Sequence, residues 1–209
     1  MTIELPDGIY GILGEDFSRG RSNVETAQLM VDAGIDILQY REKAGSKDRR
    51  DMLAQCLEIR KITAAARVLF IINDFLDIAL LCGADGVHLG QEDLPVARVK
   101  AAYPHLMVGC STHSPEEAVR AVKDGADYLG AGPVFPTRTK ADAGDTVGLE
   151  YIEYLAASNT IPFAAIGGIK RHNIQEVAAR GAKTMCLITE IISAEDIGER
   201  IGQIRSLMR

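Results

Sequence analysis

Short apolar runs rich in β-branched residues recur along the chain, and segments of helical period separate them. They read as strands at "GIYGIL" 8–13, "DILQYR" 36–41, "VLFIIND" 68–74 and "DGVHLG" 85–90. Four more read at "LMVGCST" 106–112, "YLGAGPV" 128–134, "FAAIGG" 163–168 and "MCLIT" 185–189. Their cores are near-continuously hydrophobic, as in strands buried on both faces. The intervening "NVETAQLMVDAG" 23–34, "SPEEAVRAVKDG" 114–125 and "HNIQEVAARG" 172–181 carry helix signals. In the second, Ser114 is placed to cap, Pro115 takes the first helical position, Glu117 completes a capping box and Gly125 ends the helix. A weak repeat runs through the helix ends: "AGID" 33–36, "CGAD" 82–85, "DGAD" 124–127 and "RGAK" 180–183 precede strands two, four, six and eight. Stacked copies of one βαβα unit explain it. The predicted fold is α/β, a single compact (β/α)8 TIM barrel over residues 1–209. An open doubly wound sheet is the runner-up, disfavoured because no strand is followed by G-x-G-x-x-G.

Composition narrows the picture. With 209 residues, 47% hydrophobic and 25% charged, the chain suits one well-cored domain. Its net charge of -6 offers no general basic footprint for nucleic acid or an anionic membrane, though a local cationic pocket remains open. No apolar run reaches the length of a membrane span, and "MTIELPDGIYGIL" has neither the basic region nor the long apolar run of a signal peptide. Cys56, Cys82, Cys110 and Cys186 are scattered without a C-x-x-C pair. They read as reduced, buried small hydrophobes, so the expected location is the cytoplasm.

In such a barrel the chemistry gathers where the strands end. Strand two ends in Gln39, Arg41 and Lys43, which alternate onto one side. Strand three delivers Asn73 and Asp74, strand four leads to Asp93, and strand five delivers Ser111, Thr112 and His113. The sixth loop carries "PTRTK" 136–140; strand seven ends in Gly167-Gly168 and strand eight at Ile188-Thr189. Arg41, Lys43 and Lys140 are suited to a polyanion, and Asp74 and Asp93 are hard oxygen ligands suited to Mg²⁺. The glycines of "AIGGI" let backbone N–H groups approach a phosphate. Two anion sites are expected, one metal-assisted and one built mainly from backbone.

Each feature has a duller reading. Arg41 and Lys43 suit a solvated loop, Asp74 and Asp93 suit helix caps near 75 and 94, Ser111 suits a cap, and Gly167-Gly168 suits a tight turn. The functional reading comes from their convergence on one face. The histidines add little: His88 reads as an inward, satisfied core residue, His113 as loop lining, and His105 and His172 as loop or helix-start residues. No zinc motif is present.

Taken together, "QYREK" 39–43, "IIND" 71–74, "ADGVHLGQEDLP" 84–95, "GCSTHS" 109–114, "GPVFPTRTK" 132–140 and "AIGGI" 165–169 resemble the thiamine-phosphate synthase family. The resemblance runs in order from the second strand through the seventh and implies a (β/α)8 barrel transferase. Its small-molecule substrates would be 4-amino-2-methyl-5-hydroxymethylpyrimidine diphosphate and a carboxylated or plain hydroxyethylthiazole phosphate. Its products would be thiamine phosphate and pyrophosphate. In the family mechanism the diphosphate departs first, leaving a pyrimidinylmethyl cation that the thiazole nitrogen captures. By motif, Gln39, Arg41, Lys43, Asn73, Ser111 and Lys140 would hold the pyrimidine diphosphate, with Arg41, Lys43, Ser111 and Lys140 acting in catalysis. Tyr40, Glu42 and Arg138 belong to the same substrate-binding stretches. Asp74 and Asp93 match the Mg²⁺ ligands; Thr137, Thr139, Gly167, Gly168, Ile188 and Thr189 match the thiazole-phosphate site.

The chain departs from the family in having Thr189 where Ser is common, which keeps a hydroxyl. A thiazole tautomerase is the nearest rival, but the place of its histidine is taken by Pro133 in "GAGPVF". A non-catalytic phosphate-ligand-binding barrel would not need both Asp74 and Asp93. Residues 138–148 read as a closing loop, where exclusion of water would protect a carbocation. Formation of a homo-oligomer is left open.

Overall fold

Gly8–Leu13 (β1) pairs in parallel with Ile37–Tyr40 (β2), and each later strand adds beside the last. The series continues through Leu69–Asn73 (β3), Gly86–Leu89 (β4), Met107–Thr112 (β5), Tyr128–Ala131 (β6), Phe163–Ile166 (β7) and Thr184–Leu187 (β8). β8 returns to pair with β1, so the eight parallel strands close into a barrel, as the sequence predicts. This computed structural model describes residues 4–42, 45, 47–137, 139, 145–158 and 160–208.

A helix follows each strand: Asn23–Asp32 (α1), Arg49–Ala66 (α2), Leu76–Cys82 (α3), Val96–Ala102 (α4), Pro115–Lys123 (α5), Gly148–Ser158 (α6) and Ile174–Ala179 (α7). After β8 come a single turn, Thr189–Ile192 (α8), and the final Ile197–Leu207 (α9). α5 begins as its sequence dictates: Ser114 Oγ accepts the Glu117 N–H at 3.3 Å and Pro115 occupies the first turn. Gly125 and Gly181, with φ of 89° and 94°, follow α5 and α7 in the left-handed region that their lack of Cβ permits.

The repeat before the even strands has a physical role. Asp36, Asp85 and Asp127 each accept a backbone N–H from the start of the preceding strand: Ile9 at 2.7 Å, Phe70 at 2.9 Å and Val108 at 2.7 Å. Each carboxylate is also held by a cation, respectively Arg205, Arg60 and Lys100, with nearest approaches of 2.8 Å. The same device therefore ties neighbouring strands together three times at the end of the barrel where the strands begin. At the fourth repeat Lys183 replaces the acid, and its backbone carbonyl accepts the Gly8 N–H at 3.0 Å.

Period-two alternation divides the apolar residues into two cores. Ile9, Leu38, Phe70, Val87 and Leu129 face the helices. Ile12, Ile37, Ile71, Met107 and Cys186 fill the barrel with Tyr10 and Tyr128. All four cysteines are buried and unbridged. No helix among the described residues is long and apolar enough to cross a membrane.

Three strands end two or more residues earlier than the pattern of the sequence predicts. β6 stops at Ala131 because Pro133 has no N–H for the ladder. The chain then crosses to the end of β7, where Val134 N–H meets the Ile166 carbonyl at 2.9 Å and Phe135 N–H meets that of Gly167 at 3.0 Å. β7 stops at Ile166 because Gly167 and Gly168 take φ of 98° and 65°. A Cβ on Gly168 would stand 2.7 Å from Phe135, so the pair serves packing as well as turning. β8 ends at Leu187, and Thr189 opens α8 rather than closing the strand.

Candidate active site

The C-terminal strand ends surround a cavity of about 440 Å³. Inward alternation brings Gln39 and Arg41 to it from β2, Asn73 from β3, His88 from β4 and Ser111 from β5. Gly167, Gly168, Ile188 and Thr189 approach from β7 and β8, and Thr137 and Thr139 from the loop after β6. With Asp74 and Asp93, these eleven residues share one space.

Tyr40 and Glu42 alternate away from it. Tyr40 is 1% exposed among the residues facing the helices, and its hydroxyl donates to Gln55 Oε1 at 2.8 Å. Burial, first of all, holds that phenol well above the ordinary tyrosine range. Glu42 is also buried, and its Oε1 accepts the Glu15 N–H at 3.0 Å and the Asn23 side-chain amide at 2.6 Å. Glu42 thus braces the first loop and α1, and Tyr40 braces α2. Lys43, Arg138 and Lys140 lie outside the described residues, as does most of the expected closing loop (138 and 140–144).

The cap positions of α3 and α4 are taken by Phe75 and Pro95 rather than by Asp74 and Asp93. Asp74 has φ of 60°, an uncommon conformation that turns it out of β3, and its N–H is held by the His88 carbonyl at 2.9 Å. Asp93 is oriented by the Gly90 N–H, which donates to its Oδ2 at 2.7 Å. No group of three or more metal-ligating side chains occurs among the described residues. A carboxylate pair nevertheless fits Mg²⁺, which takes its other ligands from phosphate and water.

One lining cation escapes the sequence reading. Lys170, directly after "AIGGI", brings an ammonium group that donates to Thr189 Oγ1 at 2.8 Å. Glu190 stands nearby at 3.7 Å, but it also accepts from Arg171 Nε at 3.0 Å and Arg200 Nη1 at 2.9 Å. One carboxylate among three cations leaves this rim positive. Its place in the seventh loop was the available signal. Gln91 lines the cavity too, donating to the Ser111 carbonyl at 2.6 Å, and His113 is held by Glu117 at 2.9 Å. His88, an inward residue as expected, is itself a cavity wall.

A family model described as thiamine monophosphate synthase matches residues 9–191. The thiamine-phosphate synthase of Pelotomaculum thermopropionicum is 50% identical over 205 residues, covering 98% of this chain and 93% of that protein. That of Lawsonia intracellularis is 48% identical over 202 residues, covering 96% and 92%. Among solved structures, thiamine phosphate pyrophosphorylase from Pyrococcus furiosus superposes with a TM-score of 0.88 at 36% identity, covering 96% of this chain and 95% of that one. A 3-hexulose-6-phosphate synthase, at 20% identity and a TM-score of 0.66, shares the fold alone. Agreement of motif order, barrel and near-full-length identity makes the chain a member of the thiamine monophosphate synthase family.

Proposed function

We propose that this cavity joins the pyrimidine diphosphate to the thiazole phosphate, with the diphosphate held on the β2–β5 side and the thiazole phosphate on the β7–β8 side. The chain is a thiamine-phosphate synthase, a transferase. The carrying observation is convergence: Arg41, Ser111 and the Asp74–Asp93 pair share one cavity with the two glycines, Thr189 and Lys170.

The reaction breaks the bond from the pyrimidine methylene to the diphosphate oxygen and forms a bond from that carbon to the thiazole nitrogen. Negative charge accumulates on the departing diphosphate, so donors fixed in advance lower the barrier. Arg41 presents a planar fork of donors, and Gln39, Asn73 and Ser111 orient the rest of the pyrimidine substrate. Lys43 and Lys140 join them on the strength of the resemblance. Asp74 and Asp93 would hold Mg²⁺, which when bound supplies charge to offset the diphosphate. Gly167, Gly168, Ile188, Thr189, Thr137 and Thr139 anchor the acceptor phosphate, with Lys170 adding a charge. Anchoring keeps the thiazole nitrogen near a short-lived cation. Four buried, unbridged cysteines support a reducing cytoplasm.

Purified protein, both substrates and Mg²⁺ are expected to yield thiamine phosphate by mass spectrometry. EDTA should abolish the product, and Asp74→Asn should lower kcat/KM by about a hundredfold, the scale of one lost charge contact in a transition state. Thiazole-phosphate binding without product would leave a binding barrel instead.

A further inference from the structure

Five cavity-lining side chains form an unbroken chain of hydrogen bonds across the barrel. Gln39 Nε2 donates to Tyr10 Oη at 2.7 Å, and Tyr10 Oη lies 2.9 Å from Tyr128 Oη. Tyr128 Oη lies 3.0 Å from His88 Nδ1, and His88 Nε2 lies 2.9 Å from Ser111 Oγ. β1, β2, β4, β5 and β6 each contribute one member. Gln39, Tyr10 and Tyr128 are at most 2% exposed.

Each hydroxyl has one proton, and this makes the chain directional. An amide nitrogen only donates, so the Tyr10 oxygen accepts from Gln39; Tyr128 Oη is the acceptor the described contacts offer its own buried proton. Tyr128, accepting from Tyr10, sends its proton to His88 Nδ1. The imidazole then carries its proton on Nε2 and donates to Ser111 Oγ. Ser111 is left with its O–H as the donor that faces the cavity. At the other end, with its nitrogen turned to Tyr10, Gln39 is left with its carbonyl oxygen as the acceptor.

We propose that Tyr10, Tyr128 and His88 are positioning residues whose ordered protons hold Ser111 as a donor and Gln39 as an acceptor toward the pyrimidine diphosphate. This rests on the assignment of Ser111 and Gln39 to that substrate. A donor at Ser111 matches an anionic diphosphate oxygen, and an acceptor at Gln39 matches the exocyclic amino group of an aminopyrimidine. A serine free to rotate would have to be turned in every cycle; one turned in advance costs nothing at the moment of reaction.

Two further observations agree. A Cβ at Gly109 would overlap the Tyr128 ring, and one at Gly130 would stand 2.8 Å from His88 Cε1. Inward positions of β5 and β6 are thus emptied for the two rings. Burial also raises the affinity of both phenols for their protons, with mutual repulsion adding at Tyr10. They stay hydroxyl donors rather than phenolates.

The test combines a spectroscopic and a kinetic readout on the full-length protein. Nitrogen NMR of ring-labelled histidine, with the His88 signal identified by its loss in His88→Gln, is expected to show the Nε2–H tautomer. A ring carrying its proton on Nδ1, or on both nitrogens, would overturn the proposal. Tyr128→Phe keeps the ring and removes two bonds of the chain. It should give a mixture of His88 tautomers and lower kcat about tenfold while leaving KM for the thiazole phosphate within twofold. Unchanged kcat, or a uniform loss in both substrates' KM, would mean a structural role only. Should Tyr128→Phe fail to fold, Tyr10→Phe breaks the chain one link earlier and is expected to change tautomer and kcat in the same direction. Wild-type protein without synthase activity would sink the proposed function, whereas the tautomer tests the chain independently.

Discussion

Lys170 illustrates how a single side chain can tune a shared site. It stands one residue after Ile169, half-buried, with its ammonium group on Thr189 and within 3.7 Å of a Glu190 already engaged by two arginines. Replacing it with alanine removes a cation from the proposed acceptor-phosphate rim and leaves the diphosphate side alone. Lys170→Ala should therefore raise KM for the thiazole phosphate by about tenfold, since a charged hydrogen bond contributes roughly 1.5–3 kcal/mol. KM for the pyrimidine diphosphate should not move. Equal effects on both substrates, measured by steady-state kinetics, would remove Lys170 from this rim. The residue types in "QYREK" and "AIGGI" were legible as anion chemistry. Which neighbours turn toward the cavity was less so, because Tyr40 and Glu42 sit beside Gln39 and Arg41 yet alternate to the helix side.

At the level of elements, the Gly-containing repeat shows what a sequence pattern can and cannot convey. Its spacing announces the even strands, and β2, β4, β6 and β8 begin where it says. Its acids do more: Asp85 accepts from Phe70 N–H while both its oxygens bind Arg60, at 2.8 and 2.9 Å. Asp85→Ala strands a partly buried guanidinium and a backbone donor together. The expected loss is about 2–3 kcal/mol of stability in urea denaturation, with kcat unchanged because the substitution is remote from the strand ends. A fall in kcat without a fall in stability would contradict this structural role. The shortened ends of β6, β7 and β8 have equally local causes in Pro133, Gly167-Gly168 and the turn opening at Thr189. Those residues were visible in the sequence, but an apolar run continues through them and masked the stop.

For the molecule as a whole, closing the sheet brings the loops after seven strands to one mouth, so that occupation of the mouth ties distant segments together. A ligand that binds only the folded barrel stabilises it by mass action, by about 2.7 kcal/mol at a hundred times its dissociation constant. Pyrophosphate with Mg²⁺ should then raise Tm by roughly 5–10 °C for a domain of this size. EDTA should cancel most of the shift, since Asp74 and Asp93 would repel the bare diphosphate. An identical rise with and without Mg²⁺ in a thermal melt would argue against the metal pair.

Periodicity, glycine placement and motif order were enough to read eight β/α units, a closed barrel and its family, because these depend on local spacing and composition. Folding in three dimensions decided three other matters. It turned Tyr40 and Glu42 outward, made His88 a wall of the cavity, and linked Gln39 to Ser111 through Tyr10, Tyr128 and His88. Those contacts join residues 29, 118, 40 and 23 positions apart in the chain. No local pattern specifies such pairings; the register of parallel strands around a closed barrel does.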